Sequence, residues 1–384
     1  MRITKVDVIN LFAPIPRGET PPINLPFAER IASVVFGGYR ATLVRVHTDA
    51  GIDGIGECMV RLAPRATGAL VEELAPILID QDPRDVEPIW DTLYATMRQR
   101  GHVPGMMVEA ISGIDIALWD ILGKEAGLRV CKLLGGQYRD RLWCYASSLR
   151  IRDLDTIVKE AVRYVEMGFT AMKLKVGRDL ERTFQSVAAV RKAIGEQIQL
   201  SVDANCAFDV RTALQVGRRL EEYGVQWFEE PIPPDDVEGY AELARALDVP
   251  VAAGECEFTR WGVKELLVHR AVDIIQPDVA RAGGFSECRK IAALSTAFNI
   301  AYAPHTGASS AVCLAASVQL AAALPNFLIY EYMRGDWSAR QHNPLREDLV
   351  RESAEVFEKG NILVPSRPGI GVELNEEVVS RYRV

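Results

Sequence analysis

The sequence predicts a closed barrel of parallel strands and helices, preceded by a smaller α+β domain. From about residue 140, eight short apolar segments alternate with amphipathic helical segments. Before that point, antiparallel strand patterns are followed by three helical patterns. Strands that alternate with helices are typical of parallel sheets covered by helices, and eight such units close into a barrel. An open doubly wound sheet is the weaker alternative, because no strand–GxGxxG–helix signature appears.

The N-terminal part predicts a small antiparallel sheet and three helices. The segments ITKVDVINLFA and RATLVRVHTDAGIDGIGECM have strand patterns, and the second turns at its glycine-rich middle. Apolar residues recur at helical spacing over 66–80, 84–99 and 105–126, and Gly127 ends the last pattern.

The eight strands expected in the barrel follow in order. They are LWCYASS, AMKLKVG, QLSVDAN, VQWFEEP, VPVAAGE, VDIIQPD, IAYAPH and FLIYEYM. The chain is therefore divided into an α+β domain (1–126), a barrel (127–355) and a C-terminal segment (356–384) that packs back on the first domain.

Composition excludes several classes of function. The chain has 384 residues, of which 48% are hydrophobic, and a net charge of −8, which argues against nucleic acid or anionic membrane as the main partner. The N-terminus lacks the unbroken apolar core of a signal peptide. The most apolar window, 311–325, is too short to span a bilayer and indicates a buried helix. Seven cysteines without a C-x-x-C pair indicate reduced thiols, so we expect a cytoplasmic protein.

An ionisable residue stands at the end of each expected strand from the second to the eighth. These residues are Lys175, Asp203, Glu229, Glu255, Asp278, His305 and Glu331, separated by 23–28 residues. The C-terminal strand ends of a barrel converge on one mouth, where the active sites of this fold lie. Any one of them alone would be an ordinary polar residue at an exposed strand end. Seven in register, all able to bind metal or move protons, indicate an active site.

Three of these residues are carboxylates on consecutive strands: Asp203, Glu229 and Glu255. Brought together, they would repel one another unless a cation lies among them. All-oxygen ligation suits a hard divalent ion, with Mg²⁺ as the first expectation and Mn²⁺ as the second. Strand alternation does not decide whether Glu229 or Glu230 faces into the barrel.

Lys173 and Lys175 lie one residue apart and therefore share one face of their strand. Two lysines at a metal-lined mouth would each disfavour the protonation of the other. A lysine whose pKa is lowered in this way can act as a base near neutral pH. Lys175 is nearer the mouth and is the expected base, with Lys173 as its modulator.

On the opposite wall, Asp278 and His305 come from adjacent strands, and a carboxylate beside an imidazole fixes its tautomer. A base on each side of a metal suits removal of a proton next to a carboxylate, with the metal stabilising the enediolate. The opposite group would then return a proton or expel a leaving group from the β-carbon. Glu331, if protonated, could donate a hydrogen bond to the developing enolate.

These residues resemble the enolase superfamily, and its mandelate racemase-like branch in particular. The matching motifs are K-x-K at Lys173 and Lys175, D-x-N at Asp203 and Asn205, EEP at 229–231, GE at 254–255, and the pair Asp278 and His305. The resemblance covers essentially the whole chain. It implies a modified (β/α)₇β barrel whose site is closed by loops of an α+β capping domain. It also implies Glu229 as the ligand, Glu331 as the acid of the eighth strand, and a homo-oligomer.

Substrate contacts are expected from the capping loops and the barrel rim. Residues 13–30 are rich in proline and charge, as in a loop that closes over a site. Arg17, Arg61 and Arg150 are candidates for binding a distal carboxylate or hydroxyls, and Asn205 is a further candidate.

The resemblance implies two kinds of enzyme, and a protein without turnover is a third hypothesis. The first is an acid-sugar dehydratase, which removes the α-proton and loses the β-hydroxyl to give a 2-keto-3-deoxy acid. The second is a racemase, epimerase or sugar-lactone cycloisomerase with the same site, and the resemblance extends to galactaro-lactone cycloisomerase-like members. The third is a barrel that binds a ligand without turnover. It is the least favoured, because a protein without turnover has little reason to keep the three metal-binding carboxylates, both bases and the Asp278–His305 pair.

Overall fold

The computed structural model describes residues 1–15, 37–151, 153–307, 309–333 and 342–384. Its N-terminal sheet is antiparallel, in the order β1 (Ile3–Pro14), β2 (Gly38–Thr48) and β3 (Gly54–Cys58). The first strand buries alternate side chains, such as Ile9 and Leu11, as expected for a sheet with one covered face. The predicted sheet is confirmed.

Three helices cover this sheet: α1 (Pro64–Leu78), α2 (Val86–Arg98) and α3 (Met106–Ala126). All three begin and end within two residues of the predicted bounds. Helix α3 is buried on most of its surface because it contacts β3 on one side and the barrel on the other. Gly56 permits this packing, since a Cβ atom there would lie 2.0 Å from the carbonyl oxygen of Gly113. The close approach fixes the position of β3 against α3.

The second part of the chain contains the eight predicted parallel strands. They are β4 (Arg141–Arg150), β5 (Ala171–Lys175), β6 (Gln199–Asp203), β7 (Val225–Glu229), β8 (Val251–Ala253), β9 (Ile274–Ile275), β10 (Ala301–Tyr302) and β11 (Tyr330–Tyr332). The short helix α4 (Val130–Leu133) precedes them. The helices between them are α5 (Leu154–Glu166), α6 (Leu180–Ile194), α7 (Val210–Glu221), α8 (Val237–Ala246), α9 (Thr259–Val268), α10 (Gly284–Ala297) and α11 (Ala311–Ala323).

The strands close into a barrel. Strands β4 to β10 pair in sequence order, and β11 pairs in parallel with β4, with Glu331 opposite Tyr145. A bridge between Tyr302 and Phe327 joins the seventh strand to the chain that leads into the eighth. The predicted (β/α)₇β barrel is therefore confirmed, and the open sheet is wrong. Because neighbouring strands are in register, their charged ends lie level at one mouth.

The C-terminal segment contacts both parts of the molecule. After the short helix α12 (Pro344–Glu347), strands β12 (Val356–Glu358) and β13 (Asn361–Leu363) form a hairpin, and β13 pairs antiparallel with β4 of the barrel. The last helix is α13 (Glu376–Tyr382). Beyond the hairpin, the Ile370 backbone N–H donates to Asp120 in α3. The backbone of Arg383 forms an antiparallel β-bridge with Leu11 in β1. The division of the chain after residues 126 and 355 stays a prediction.

The buried helix predicted in the most apolar window is confirmed. The apolar window at 311–325 contains the buried helix α11, and no helix in the described part of the chain is long and apolar enough to cross a membrane. All seven cysteines are free thiols.

Candidate active site

Asp203, Glu229 and Glu255 converge at the barrel mouth, at the ends of β6 and β7 and just after β8. One carboxylate oxygen from each lies within 4.8 Å of the others. Asp203 and Glu229 are fully buried, whereas the Glu255 side chain remains 14% exposed toward the mouth. This triad has the all-oxygen donor set of a site for a hard divalent cation, with an open side for substrate.

The structure decides between the two neighbouring glutamates. Glu229 faces Asp203, whereas the backbone turns at Glu230, whose φ is +38°. Glu230 instead lies with Glu255 and Cys256 in a second group of possible ligand atoms. A thiol is a soft ligand, so the triad that contains Glu229 is the better match to a hard cation.

The electrostatics of the triad also fit a bound cation. Burial raises the pKa of Glu229, and the neighbouring charge of Asp203 raises it further. Burial has the same effect on the pKa of Asp203, but Lys175 and Lys173 outweigh it and lower that pKa. The two lysines thus compensate only part of the negative charge of these carboxylates, and a divalent cation would relieve the remaining repulsion between them.

Lys173 and Lys175 share one face, as predicted, but they differ in their surroundings. Lys173 is 1% exposed, is hydrogen bonded to Glu229, and lies 3.1 Å from Glu331 Oε1. Lys175 is 24% exposed at the mouth and is hydrogen bonded to Asp203. Burial alone would lower the pKa of Lys173, but the surrounding carboxylates raise it well above its ordinary value. The predicted mutual suppression of protonation is wrong for Lys173, because anions outnumber cations here.

Lys173 should therefore stabilise the folded protein when no metal is bound. Replacing Lys173 with methionine leaves buried carboxylates without their partner, so we expect the free energy of unfolding in EDTA to fall by about 3–5 kcal/mol. Excess Mg²⁺ should restore part of this loss by replacing the missing positive charge. Urea denaturation of K173M, with the exposed Lys192→Met as control, checks the expectation. A loss below about 1 kcal/mol in EDTA would contradict it.

His305 and Asp278 form the expected pair on the opposite wall. His305 Nδ1 lies 2.9 Å from Asp278 Oδ2, and Asp278 Oδ1 also accepts the backbone N–H of Ala280. The other ring nitrogen, Nε2, lies 3.5 Å from Glu255 Oε2. Burial would lower the pKa of His305, but Glu255, the bond to Asp278 and Glu331 prevail and raise it to about 9.

Glu331 does not have the protonated state on which hydrogen-bond donation to an enolate would depend. Its Oε1 accepts from Ser147 Oγ at 2.5 Å and from Lys173, and its Oε2 accepts from the backbone N–H of Thr306 at 2.9 Å. Although burial would raise the pKa of Glu331, Lys173 and His305 lower it well below its usual value. Glu331 is thus an ionised acceptor that holds Lys173 and the loop after His305, and it cannot donate to an enolate.

The expected substrate-binding residues fall in different places. Arg61 reaches the site from the N-terminal domain, with Nη2 3.5 Å from His305 Nε2. Arg150 ends β4 in register with Lys175. Asn205 donates to Asp203 through both its backbone N–H and its side chain, so it orients a carboxylate of the triad. Arg17 and most of the 13–30 segment lie outside the described residues.

Three further residues support the site and were not predicted. Trp227 Nε1 and Gln276 Nε2 donate to Glu229 Oε2 at 3.0 and 2.8 Å, which fixes that carboxylate. Ser147 supports Glu331. Strand alternation places Trp227 on the same face as Glu229. Gln276 directly follows β9 and stands two residues before Asp278. These positions are a usable signal, although many polar residues near strand ends have no such role.

Most of the chain matches the family models of two known domains. Residues 156–378 match the family described as enolase C-terminal domain-like, and residues 19–135 match the mandelate racemase/muconate lactonizing enzyme N-terminal domain. The chain belongs to the mandelate racemase/muconate lactonizing enzyme family of the enolase superfamily. The resemblance inferred from the motifs and the prediction of an enzyme are confirmed.

Several members of this family are similar over nearly their full length. The D-galactarolactone cycloisomerase of Agrobacterium fabrum is 38% identical over 94% of this chain and 96% of that protein. The arabinonate dehydratase of Saccharolobus solfataricus is 35% identical over 88% of this chain and 89% of that protein. The crystal structure of the 3,6-anhydro-D-galactonate cycloisomerase from Zobellia galactanivorans superposes with a TM-score of 0.88 at 30% identity, over the whole of both chains.

Proposed function

We propose that this protein is a Mg²⁺-dependent dehydratase of a sugar acid. It would convert a 2,3-dihydroxy acid into a 2-keto-3-deoxy acid and water. The observation that carries the proposal is the position of two proton-transfer groups at opposite ends of the carboxylate triad. Lys175 contacts Asp203 at one end, and His305 lies 3.5 Å from Glu255 at the other. A substrate carboxylate at the triad would hold its α-carbon between them.

Asp203, Glu229 and Glu255 are the residues that would hold Mg²⁺, and Mn²⁺ suits the same oxygen ligands. When bound, the ion supplies positive charge to the substrate carboxylate and so makes the α-proton more acidic. Lys173, Trp227 and Gln276 keep Glu229 in place for this purpose.

The chain's own residues carry the proton transfers. First, Lys175 or His305 takes the α-proton, and the electrons of the broken C–H bond move toward the substrate carboxylate. The group on the other side then donates a proton to the β-hydroxyl, which leaves as water while the electrons form a double bond between C2 and C3. The resulting enol takes up a proton at C3 and becomes the ketone. Asp278 holds His305 through Nδ1, which leaves Nε2 on the side of Glu255, where the triad would bind the substrate carboxylate.

The relatives support this substrate class. Besides the arabinonate enzyme, a D-xylonate dehydratase of Haloferax volcanii and a D-galactonate dehydratase of Pectobacterium atrosepticum are 33% and 34% identical. We infer a mono- or diacid sugar as substrate. Arg61 and Arg150, at the mouth, are the candidates for binding its distal carboxylate or hydroxyls.

An isomerase is the second candidate. Two proton-transfer groups on opposite sides of one carbon also permit return of the proton to the other face, as a racemase or epimerase requires. The similarity to the two cycloisomerases named above favours lactone chemistry within this class. A racemase or epimerase yields no ketone, whereas loss of a lactone ring oxygen from the β-carbon yields a keto acid without loss of water. The two candidates are therefore distinguished by the starting compound, because only dehydration converts an open-chain sugar acid into a keto acid and water.

The test is incubation with Mg²⁺ in D₂O of four acids: D-galactonate, D-xylonate, arabinonate and D-galactarolactone. NMR and a semicarbazide assay then follow the products. From at least one of the three open-chain acids, we expect a 2-keto-3-deoxy acid with deuterium at C3 and with the mass that loss of one water requires. A keto acid formed from D-galactarolactone alone, without loss of water, would indicate cycloisomerase chemistry instead. Deuterium at C2 without a ketone would replace dehydration by isomerase chemistry. The double variant K175A/H305N serves as the blank, and equal turnover by that variant or silence of the wild type with all four acids would contradict the proposal.

A further inference from the structure

A short segment of the N-terminal domain, Glu57–Arg61, contacts His305 and the chain just after Asp278. The Met59 backbone N–H donates to the carbonyl of Ala280, two residues after Asp278, at 2.9 Å. Arg61 lies beside His305. Among the contacts of the described residues, Lys175 is held instead by Asp203 within the barrel. The two sides of the proposed site therefore differ in their dependence on the N-terminal domain.

Glu57 makes the strongest contacts of this segment. Its side chain is buried, its Oε1 accepts the Ser310 backbone N–H at 2.9 Å, and its Oε2 accepts Ser310 Oγ at 2.5 Å and the Cys313 backbone N–H at 2.8 Å. Ser310 is the N-cap of α11, so a carboxylate from another domain binds N–H groups that the helix leaves unpaired. Burial raises the pKa of Glu57 to about 7, although these donors oppose the shift.

The first turn of α11 connects Glu57 to the Asp278–His305 pair. His305 lies five residues before Ser310 on the same chain segment. Cys313 Sγ, in the turn that Glu57 holds, lies 3.7 Å from Asp278 Oδ1. A shift of this turn would therefore move the chain on which His305 stands and a neighbour of Asp278.

We infer that Glu57 is a positioning residue for His305 and Asp278, through which the N-terminal domain sets the geometry of one proton-transfer side of the site. This inference rests on the proposed function, since it assigns Glu57 to a step that His305 would perform. Glu57 would touch neither the substrate nor the metal.

The variant Glu57→Gln isolates this role. The carboxylate accepts three hydrogen bonds on two oxygens, whereas the amide offers one oxygen and an NH₂ group. The backbone N–H of either Ser310 or Cys313 then faces the NH₂ group of the amide, which is another donor, and the first turn of α11 must move. A mutation far from the reacting atoms that misplaces a catalytic group by about 1 Å can lower turnover by about 10²-fold. For this smaller perturbation we expect kcat to fall about tenfold.

The matched control is Asp115→Asn. Asp115 is a buried carboxylate in α3 that accepts the backbone N–H of Ser286 in α10, at 3.1 Å, so it also joins the N-terminal domain to the barrel. In the described part of the chain, Asp115 has no hydrogen bond or ion pair with Asp278 or His305. A second variant, Ser310→Ala, removes a donor to Glu57 from the other side and serves if E57Q does not fold.

The experiment measures kcat and KM with the fastest of the four acids named above, the Mg²⁺ dissociation constant, and the melting temperature. We expect E57Q and S310A to lower kcat about tenfold and threefold, with KM and Mg²⁺ affinity within twofold of wild type. D115N should leave kcat within twofold of wild type, even if its melting temperature falls as far as that of E57Q.

Two results would overturn the inference while leaving the proposed function intact. One is an unchanged kcat in folded E57Q or, failing that, in S310A. The other is a parallel change in KM or Mg²⁺ affinity, or an equal loss of kcat in D115N, which would indicate a general effect on domain packing. A wild type without turnover of any of the four acids would overturn the proposed function together with the inference.

Discussion

Replacing Lys175 with alanine is expected to lower kcat by roughly 10²–10⁴-fold, the range that general acid–base catalysis contributes. Lys175 presents its amine at the mouth, in contact with Asp203, on the side of the triad away from His305. Loss of this amine removes either the base or the acid of the proposed reaction. Steady-state turnover of the best of the four acids, and exchange of its α-proton in D₂O, measure the effect.

Lys175→Arg separates the charge of Lys175 from its proton transfer. Arginine can keep the pair with Asp203, but it stays protonated and cannot act as a base. K175R should therefore be nearly as inactive as K175A if Lys175 takes the α-proton. The exposed Lys192→Ala should retain full activity. K175A with more than a tenth of wild-type turnover would contradict the assignment of Lys175 to either proton transfer.

Replacing Glu229 with glutamine is expected to weaken Mg²⁺ binding by at least about 100-fold, since even the partners of metal ligands contribute 10–100-fold. Activity should fall with it, by roughly 10²-fold or more, because the ion supplies several kcal/mol of charge stabilisation to such reactions. Removal of Mg²⁺ from the wild type by EDTA should reduce turnover to the same extent, and added Mg²⁺ should restore it.

Stability supplies a readout of the metal that does not depend on substrate. At a Mg²⁺ concentration 100 times the dissociation constant, the wild type should gain about 2.7 kcal/mol of unfolding free energy. E229Q should gain little at the same concentration. The matched control is Glu230→Gln, which removes the neighbouring carboxylate outside the triad. If E230Q lost the Mg²⁺ effect and E229Q kept it, the assignment of Glu229 as the ligand would be wrong.

The barrel and the residues at its mouth could be predicted from local patterns in the sequence. Strands and helices each follow from local patterns of apolar residues, and parallel strands joined by helices have few ways to pack. Once the barrel was predicted, the strand ends from Lys175 to Glu331 had to converge, because neighbouring parallel strands end at the same edge. The residue types then indicated a metal between two proton-transfer groups.

The protonation and orientation of these groups depend on contacts that form when the chain folds. Strand alternation leaves Glu229 and Glu230 equivalent, and the turn of the backbone at Glu230 separates them. The suppressed protonation predicted for Lys173 is wrong, and the charge of Glu331 was left open by the sequence, because both pKa values depend on charges brought from distant strands. Glu57 gave no signal in the sequence, since its partners in α11 lie about 250 residues further along the chain. Local patterns fix elements of secondary structure, whereas electrostatics depends on non-local neighbours that exist only after the chain has folded.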